Sequence, residues 1–215
     1  MRIGKMVLAV LFACIMMIGC QTTYYAAWEK LGKEKRHLLR DNVEMARSEQ
    51  QEATEQFKDA LTRMKEMYGF KGGELEEIYN KIKADYEESE AQATAVRKRI
   101  GNVEQIAGDL FKEWEAEIQQ ISDQGLREKS RASLKTSRQN YSRLERAMKR
   151  AEASMTPVLK RHQDQVLYLK HNLNAQAIGS LKQEVGAIEA DVQKLILEME
   201  KSIKEADLFL KSFES

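Results

Sequence analysis

One proline in 215 residues is the sharpest absence in this sequence. An average composition near 5% would give roughly 11. Sheet folds need many turns, and turns draw on Pro and Gly, so a doubly wound sheet or a β-sandwich is excluded. Long helices remain. Aromatic residues are also scarce, at 7%, and there are only two cysteines. Charge of one sign is missing too, with 35 basic against 34 acidic side chains. That balance argues against a polyanion binder or an acidic tail. No P-loop, G-x-G-x-x-G after a strand, H-E-x-x-H, C-x-x-C or G-x-S-x-G occurs. No cofactor, no metal and no enzymatic activity are expected.

The N-terminus carries a different signal. Arg2 and Lys5 precede an uncharged apolar run from Met6 to Ile18. A membrane-spanning helix needs about 20 such residues, so this run suits the core of a secretory signal instead. It ends in Met17-Ile18-Gly19-Cys20, followed by the polar Gln21-Thr22-Thr23. These residues resemble the lipobox of bacterial lipoproteins, although Met17 stands where Leu is usual. The resemblance implies a signal peptide over residues 1–19, cleavage before Cys20, diacylglycerol on its sulfur and acylation of its amine. More than one chain is what stable anchoring requires. Gln21 is not the Asp that retains lipoproteins in the inner membrane, so the implied destination is the periplasmic face of a Gram-negative outer membrane. The alternative is an uncleaved signal anchor with an incidental cysteine. Cys14 leaves with the signal and Cys20 is taken by lipid, so the mature chain has no thiol for a disulfide or metal.

Residues 20–215 read as one elongated all-α domain, an antiparallel helical bundle or coiled-coil hairpin of about four long helices. The first stripe is Leu39, Val43, Ala46, Gln50, Ala53, Phe57, Ala60, Met64 and Met67, stepping by four and three as a coiled-coil seam does. Its helix is expected over Tyr24 to Tyr68. Gly69-Phe70-Lys71-Gly72-Gly73 is the clearest break. The second stripe runs Tyr79, Ile82, Tyr86, Ser89, Ala93, Val96, Ile100, Val103, Ala107, Leu110, Trp114, Glu117 and Ile121. Folding the chain about Lys71 predicts opposing residue numbers that sum to about 142. Trp28 would then face Trp114, Phe57 would face Tyr86 and Met64 would face Tyr79.

Ser122-Asp123-Gln124-Gly125 ends the second helix. The third carries Leu134, Ser137, Tyr141, Leu144, Met148, Ala151 and Met155, then Leu159, His162, Val166, Leu169 and Leu173. Two successive steps of four make a stutter around Pro157, where a kink is expected, with a restart capped by Thr156 as a further option. A break over 174–179 precedes Ser180-Leu181-Lys182-Gln183, a capping-box pattern. The last helix reads Leu181, Val185, Ile188, Val192, Leu195, Met199, Ser202, Ala206, Phe209 and Phe213.

Charge supports an up-down-up-down order. Residues 74–121 hold 12 acidic and 6 basic side chains, whereas 126–161 hold 11 basic and 3 acidic. Adjacent antiparallel helices of opposite sign suit a bundle. The basic helix is therefore read as a partner for the acidic one, and no nucleic acid is expected. His162 and His171 are nine residues apart, half a turn out of phase on a helix, so they do not share a metal. His162 falls on the seam opposite Leu195, as a packed or partly solvated bundle histidine, and His37 reads as a surface residue. The pairs Glu76/Glu77 and Glu87/Glu88 read as solvated faces.

Several stretches resemble an uncharacterised family of bacterial coiled-coil proteins, a domain-of-unknown-function group similar to DUF2959 and often carrying a lipoprotein signal. They are Gly32-Lys33-Glu34-Lys35-Arg36 with Asp41, Leu110-Phe111-Lys112-Glu113-Trp114-Glu115, and Pro157-Val158-Leu159 with the run from Asp164 to Ala175. The resemblance covers essentially the whole mature chain and brings no activity, cofactor or catalytic residue.

With lipid on Cys20, the Trp28/Trp114 end lies by the membrane. Tyr24, Tyr25 and Trp28 then have two readings, headgroup-level aromatics or packing against Trp114. The far end, roughly 70 Å away, holds both remaining breaks. The candidate partner-binding tip is Phe70, Lys71, Lys170, His171, Asn172 and Asn174, with Asp164 and Gln176 in the same polar cluster. Two bland alternatives stand beside it: Phe70 plugs the bundle end, and the polar cluster solvates and caps helices. The expected role is a membrane-anchored scaffold that binds an envelope protein or the cell wall, with homo-oligomers along exposed seams as a further option. The alternative is a chaperone or membrane-remodelling protein that binds clients or lipid along its length.

Overall fold

The structure, a computed structural model, describes residues 35–68, 75–172 and 174–213. Among them are four helices and no strands: α1 (Lys35–Tyr68), α2 (Leu75–Gln120), α3 (Gln124–His171) and α4 (Ala175–Lys211). Each packs chiefly on two neighbours, in the order α1–α2–α3–α4 and back to α1. The result is a closed bundle of four, the arrangement that the alternating charges predicted. With 48 residues, α3 is about 70 Å long.

The apolar stripes are the reason the helices assemble. Leu39, Val43, Ala53, Ile82, Val96, Ile100, Val103, Leu144, Met155, Leu169, Leu195 and Met199 are completely or almost completely buried. Each Leu, Ile, Val or Met among them contributes about 1.5–3 kcal/mol when taken from water. Gln50, Ser89 and Ser202, polar members of three of the stripes, are equally buried.

The register of α1 on α2 differs from the expectation. Lys35 pairs with Glu113 at 2.8 Å, Arg99 with Glu49 at 3.4 Å and Arg63 with Asp85 at 2.7 Å. In each pair the residue numbers add to 148, not 142, so the hairpin folds about residue 74. The expected register came from placing the fold axis at Lys71, the middle of the predicted break. Ion pairs on the flanks hold another, nearly two turns away. Trp28 lies outside the described residues. Trp114 faces α3, donating from Nε1 to Ser130 Oγ at 3.0 Å.

Three boundaries also differ. At the end of α2 the buried positions are Phe111 and Ile118, while Glu117 is exposed, so the seam moves one residue from its predicted line. In α3 there is no slip at Pro157. Val158 and Gln165 are buried to 2% and 4% exposure, deeper than Leu159 at 9% and Val166 at 8%. The line 148, 151, 155, 158, 162, 165, 169 therefore keeps its four-three steps, and the polar Gln165 hid that regularity. The helix runs unbroken through Pro157. Pro157 lacks an N–H for the Ala153 carbonyl, but both residues are exposed, so water reaches that carbonyl. Finally, α4 begins at Ala175 with Asn174 as its N-cap, and Gly179 and Ser180 lie inside it.

Ion pairs lace the outside. Arg47–Asp207 at 2.7 Å and Lys65–Glu189 at 2.6 Å join α1 to α4. Arg138–Glu115 and Lys149–Glu104, both 2.7 Å, join α2 to α3. The basic α3 also reaches α4, through Arg150–Glu198 at 3.2 Å and Arg161–Asp191 at 2.5 Å. Its charge is thus shared between two neighbours and is not reserved for α2. All these pairs run antiparallel. One end of the rod therefore gathers Lys35, the 121–123 turn and Lys211, and the other gathers Tyr68, Leu75, His171 and Ala175.

Candidate functional site: the far end and its neighbouring groove

At the far end lie Tyr68, where α1 ends, Leu75, where α2 begins, His171, where α3 ends, and Ala175, where α4 begins. Of the residues predicted there, Phe70 and Lys71 lie outside the described residues, as do Cys20 at the N-terminus and the side chain of Gln176. Lys170 and His171 are exposed on the last turn of α3. The charge and position of Lys170 suit the negative end of the helix dipole.

Asn172 and Asn174 have structural work. Asn172 is the C-cap of α3, and its Nδ2 donates to the Tyr168 carbonyl at 2.9 Å. Asn174 Oδ1 accepts from the Ala177 amide at 2.8 Å. Both satisfy backbone groups that a helix end leaves open. The two asparagines thus shape the connection, and Lys170 and His171 remain as groups it presents.

One turn below the tip lies a groove that sequence reasoning missed. It occupies about 240 Å³ between α3 and α4 and is lined by Arg161, Asp164, Gln165, Tyr168, Leu181, Glu184 and Ile188. Leu181, Ile188 and Gln165 are buried and form its base, whereas Tyr168 is 41% exposed. Asp164 and Glu184 are exposed on its rim. The signal was present in the phase of the helix: with 162, 165 and 169 inward, Tyr168 and Arg161 must stand beside α4.

Deeper in this half the core turns polar. His162 is 3% exposed, its ring 5.8 Å from that of Tyr86 in an edge-on arrangement. It faces α2 and not Leu195, because α3 and α4 pair in a different register. Burial lowers its pKa to about 4, against a backbone hydrogen bond at Ile82 that acts the other way. Its Nε2 has no hydrogen-bond partner. Burial pushes the Asp85 carboxyl up, while Arg63 beside it acts in the opposite direction. Among the described residues no group of three or more His, Cys, Asp or Glu side chains could hold a metal. His37 is exposed, as are Glu76, Glu77, Glu87 and Glu88, with Glu77 bonded to Lys81 at 2.6 Å.

The opposite end holds a larger cleft of about 630 Å³, walled by Leu39, Phe111, Trp114, Phe209 and Phe213 and by Arg36, whose guanidinium sits 5.3 Å over the Phe213 ring. It adjoins the point where the described chain begins. No helix among the described residues is long and apolar enough to cross a membrane.

No curated protein and no solved structure matches the chain. A family model described as "Protein of unknown function (DUF2959)" matches residues 24–213, which spans all four helices. The chain belongs to the DUF2959 family of proteins of unknown function.

Proposed function

We propose that this protein is a periplasmic lipoprotein of the outer membrane, held by acyl chains on Cys20, that works as a spacer and presents its far end to an envelope partner. The observation that carries the reading is the rod itself. Four antiparallel helices share one continuous apolar core, and the longest, Gln124–His171, runs about 70 Å from the end that holds Lys35 to the far end. Such a bundle has little to offer chemically along its length and much to offer as a fixed distance. The Met17-Ile18-Gly19-Cys20 sequence supports the anchor.

The reading is tested in two steps. Metabolic labelling with a fatty-acid analogue should tag the wild type and not Cys20→Ala, and unlabelled wild type contradicts the anchor. Crosslinking in cells should then give a partner band that Lys170→Ala with His171→Ala weakens. An unchanged band contradicts the far-end site. A second reading, client or lipid binding along the flank, is favoured by Leu197 and Leu208, which are 50% and 48% exposed on one face of α4. It predicts vesicle binding by residues 21–215 that Leu197→Ser with Leu208→Ser abolishes.

A further inference from the structure

We infer that the α3–α4 groove below the far end is a docking site for a protein segment that presents one apolar side chain beside a lysine or arginine. The inference deepens the proposed scaffold role and rests on it. Three observations lead to this occupant.

The first is apolar surface where the fold has no use for it. Tyr168 is 41% exposed and forms a wall over Leu181 and Ile188, so the groove is apolar at its base and open at its top. The preceding Leu167 is 54% exposed, which extends apolar surface around the same turn of α3. A space of about 240 Å³ suits one leucine- or methionine-sized side chain and some water.

The second is charge. Asp164 and Glu184 stand on the groove from opposite helices, and neither has an ionic partner among the described residues. The nearby cation, Arg161, is already engaged by Asp191 at 2.5 Å. The rim is thus acidic with its local base neutralised, and a cationic neighbour to the inserted side chain complements it. An anionic lipid surface or a polyanionic polymer would meet like charge here.

The third is the division of labour along Asp164–Asn174. Gln165, Val166 and Leu169 are buried in the core, and Asn172 and Asn174 cap helices. Asp164 and Tyr168 do none of this, yet they share one face and both line the groove. Rim and wall residues that leave the fold unsupported are what an interaction surface requires.

A displayed library of random peptides of about 12 residues, selected against the full chain, tests the inference. The expected result is enrichment of sequences with Leu, Ile or Met within two residues of Lys or Arg. Their affinity should fall at least about tenfold in Tyr168→Ala and severalfold in Asp164→Asn with Glu184→Gln, and should weaken with salt. These residues are exposed, so unchanged melting temperatures will show that the variants fold. No enrichment, acidic winners or full binding by Tyr168→Ala overturns the site. A photo-crosslinker placed in cells at 168, and separately at 170 and 171, separates the two proposals. Crosslinks at 170 and 171 alone sink the groove and spare the scaffold, whereas none at any of the three sinks both.

Discussion

At the scale of single residues, the fold tolerates groups that carry a measurable cost. Gly101 and Gly108 stand on the exposed face of α2, and a Cβ at either meets nothing within 4 Å. A glycine inside a helix costs roughly 0.5–1 kcal/mol relative to alanine. Gly101→Ala and Gly108→Ala should each raise stability by about that amount in chemical denaturation. His162 carries a cost of another kind. Its folded pKa of about 4 lies below the ordinary 6.5, because burial opposes the charged ring. Its neutral form is compatible with the core above pH 6.5, and stability is lost as the pH falls from there toward 4. The loss amounts to about 3 kcal/mol. Asp85, with its pKa raised, works in the opposite sense and gains stability as acid protonates it. The difference between wild type and His162→Leu, titrated from pH 7 to 4, isolates the histidine: the variant should lose about 3 kcal/mol less over that range.

At the scale of helices, caps and breakers decide where elements start and stop. Asn174→Ala removes the bond to the Ala177 amide and should cost about 1 kcal/mol. Pro157→Ala should do the reverse. It returns an N–H to the Ala153 carbonyl on an exposed face and should stabilise α3 by about 1–3 kcal/mol, read from denaturation midpoints. Most of each helix was legible from its stripe, because burial selects apolar side chains every three or four residues. The failures share one physical cause. Gln165 is buried to 4% exposure although polar, so a reading by hydrophobicity skipped it, took Val166 and invented a slip at the proline. The start of α4 was misplaced for a related reason. Ser180 looks like a cap, but Asn174 comes earlier and already accepts the amide bond.

At the scale of the molecule, periodicity identified the bundle but not its register. A seam of similar apolar residues accepts shifts of whole turns at small cost, so the choice falls to ion pairs and connections. Arg63–Asp85, Arg99–Glu49 and Lys35–Glu113 settle it for α1 and α2. Cysteines introduced at 49 and 99 in residues 21–215, which contain no other cysteine, should crosslink under mild oxidation, whereas cysteines at 49 and 93 should not. The candidate site was half legible for the same reason. The polar cluster at the end of α3 is visible in sequence, but the groove beside it needs α4 in register, because Leu181 and Ile188 supply its base. Which asparagines were caps was likewise hidden until the backbone they serve was known.

The central claim is that a rod anchored at one end meets its partner at the other. Photo-crosslinking residues introduced one at a time at exposed positions along α3, namely 126, 131, 146, 160, 168, 170 and 171, read that claim directly in living cells. The predicted result is a protein crosslink that appears at 168, 170 or 171 and at none of the other positions. Crosslinks spread evenly along the helix, or confined to 126 and 131, would contradict it.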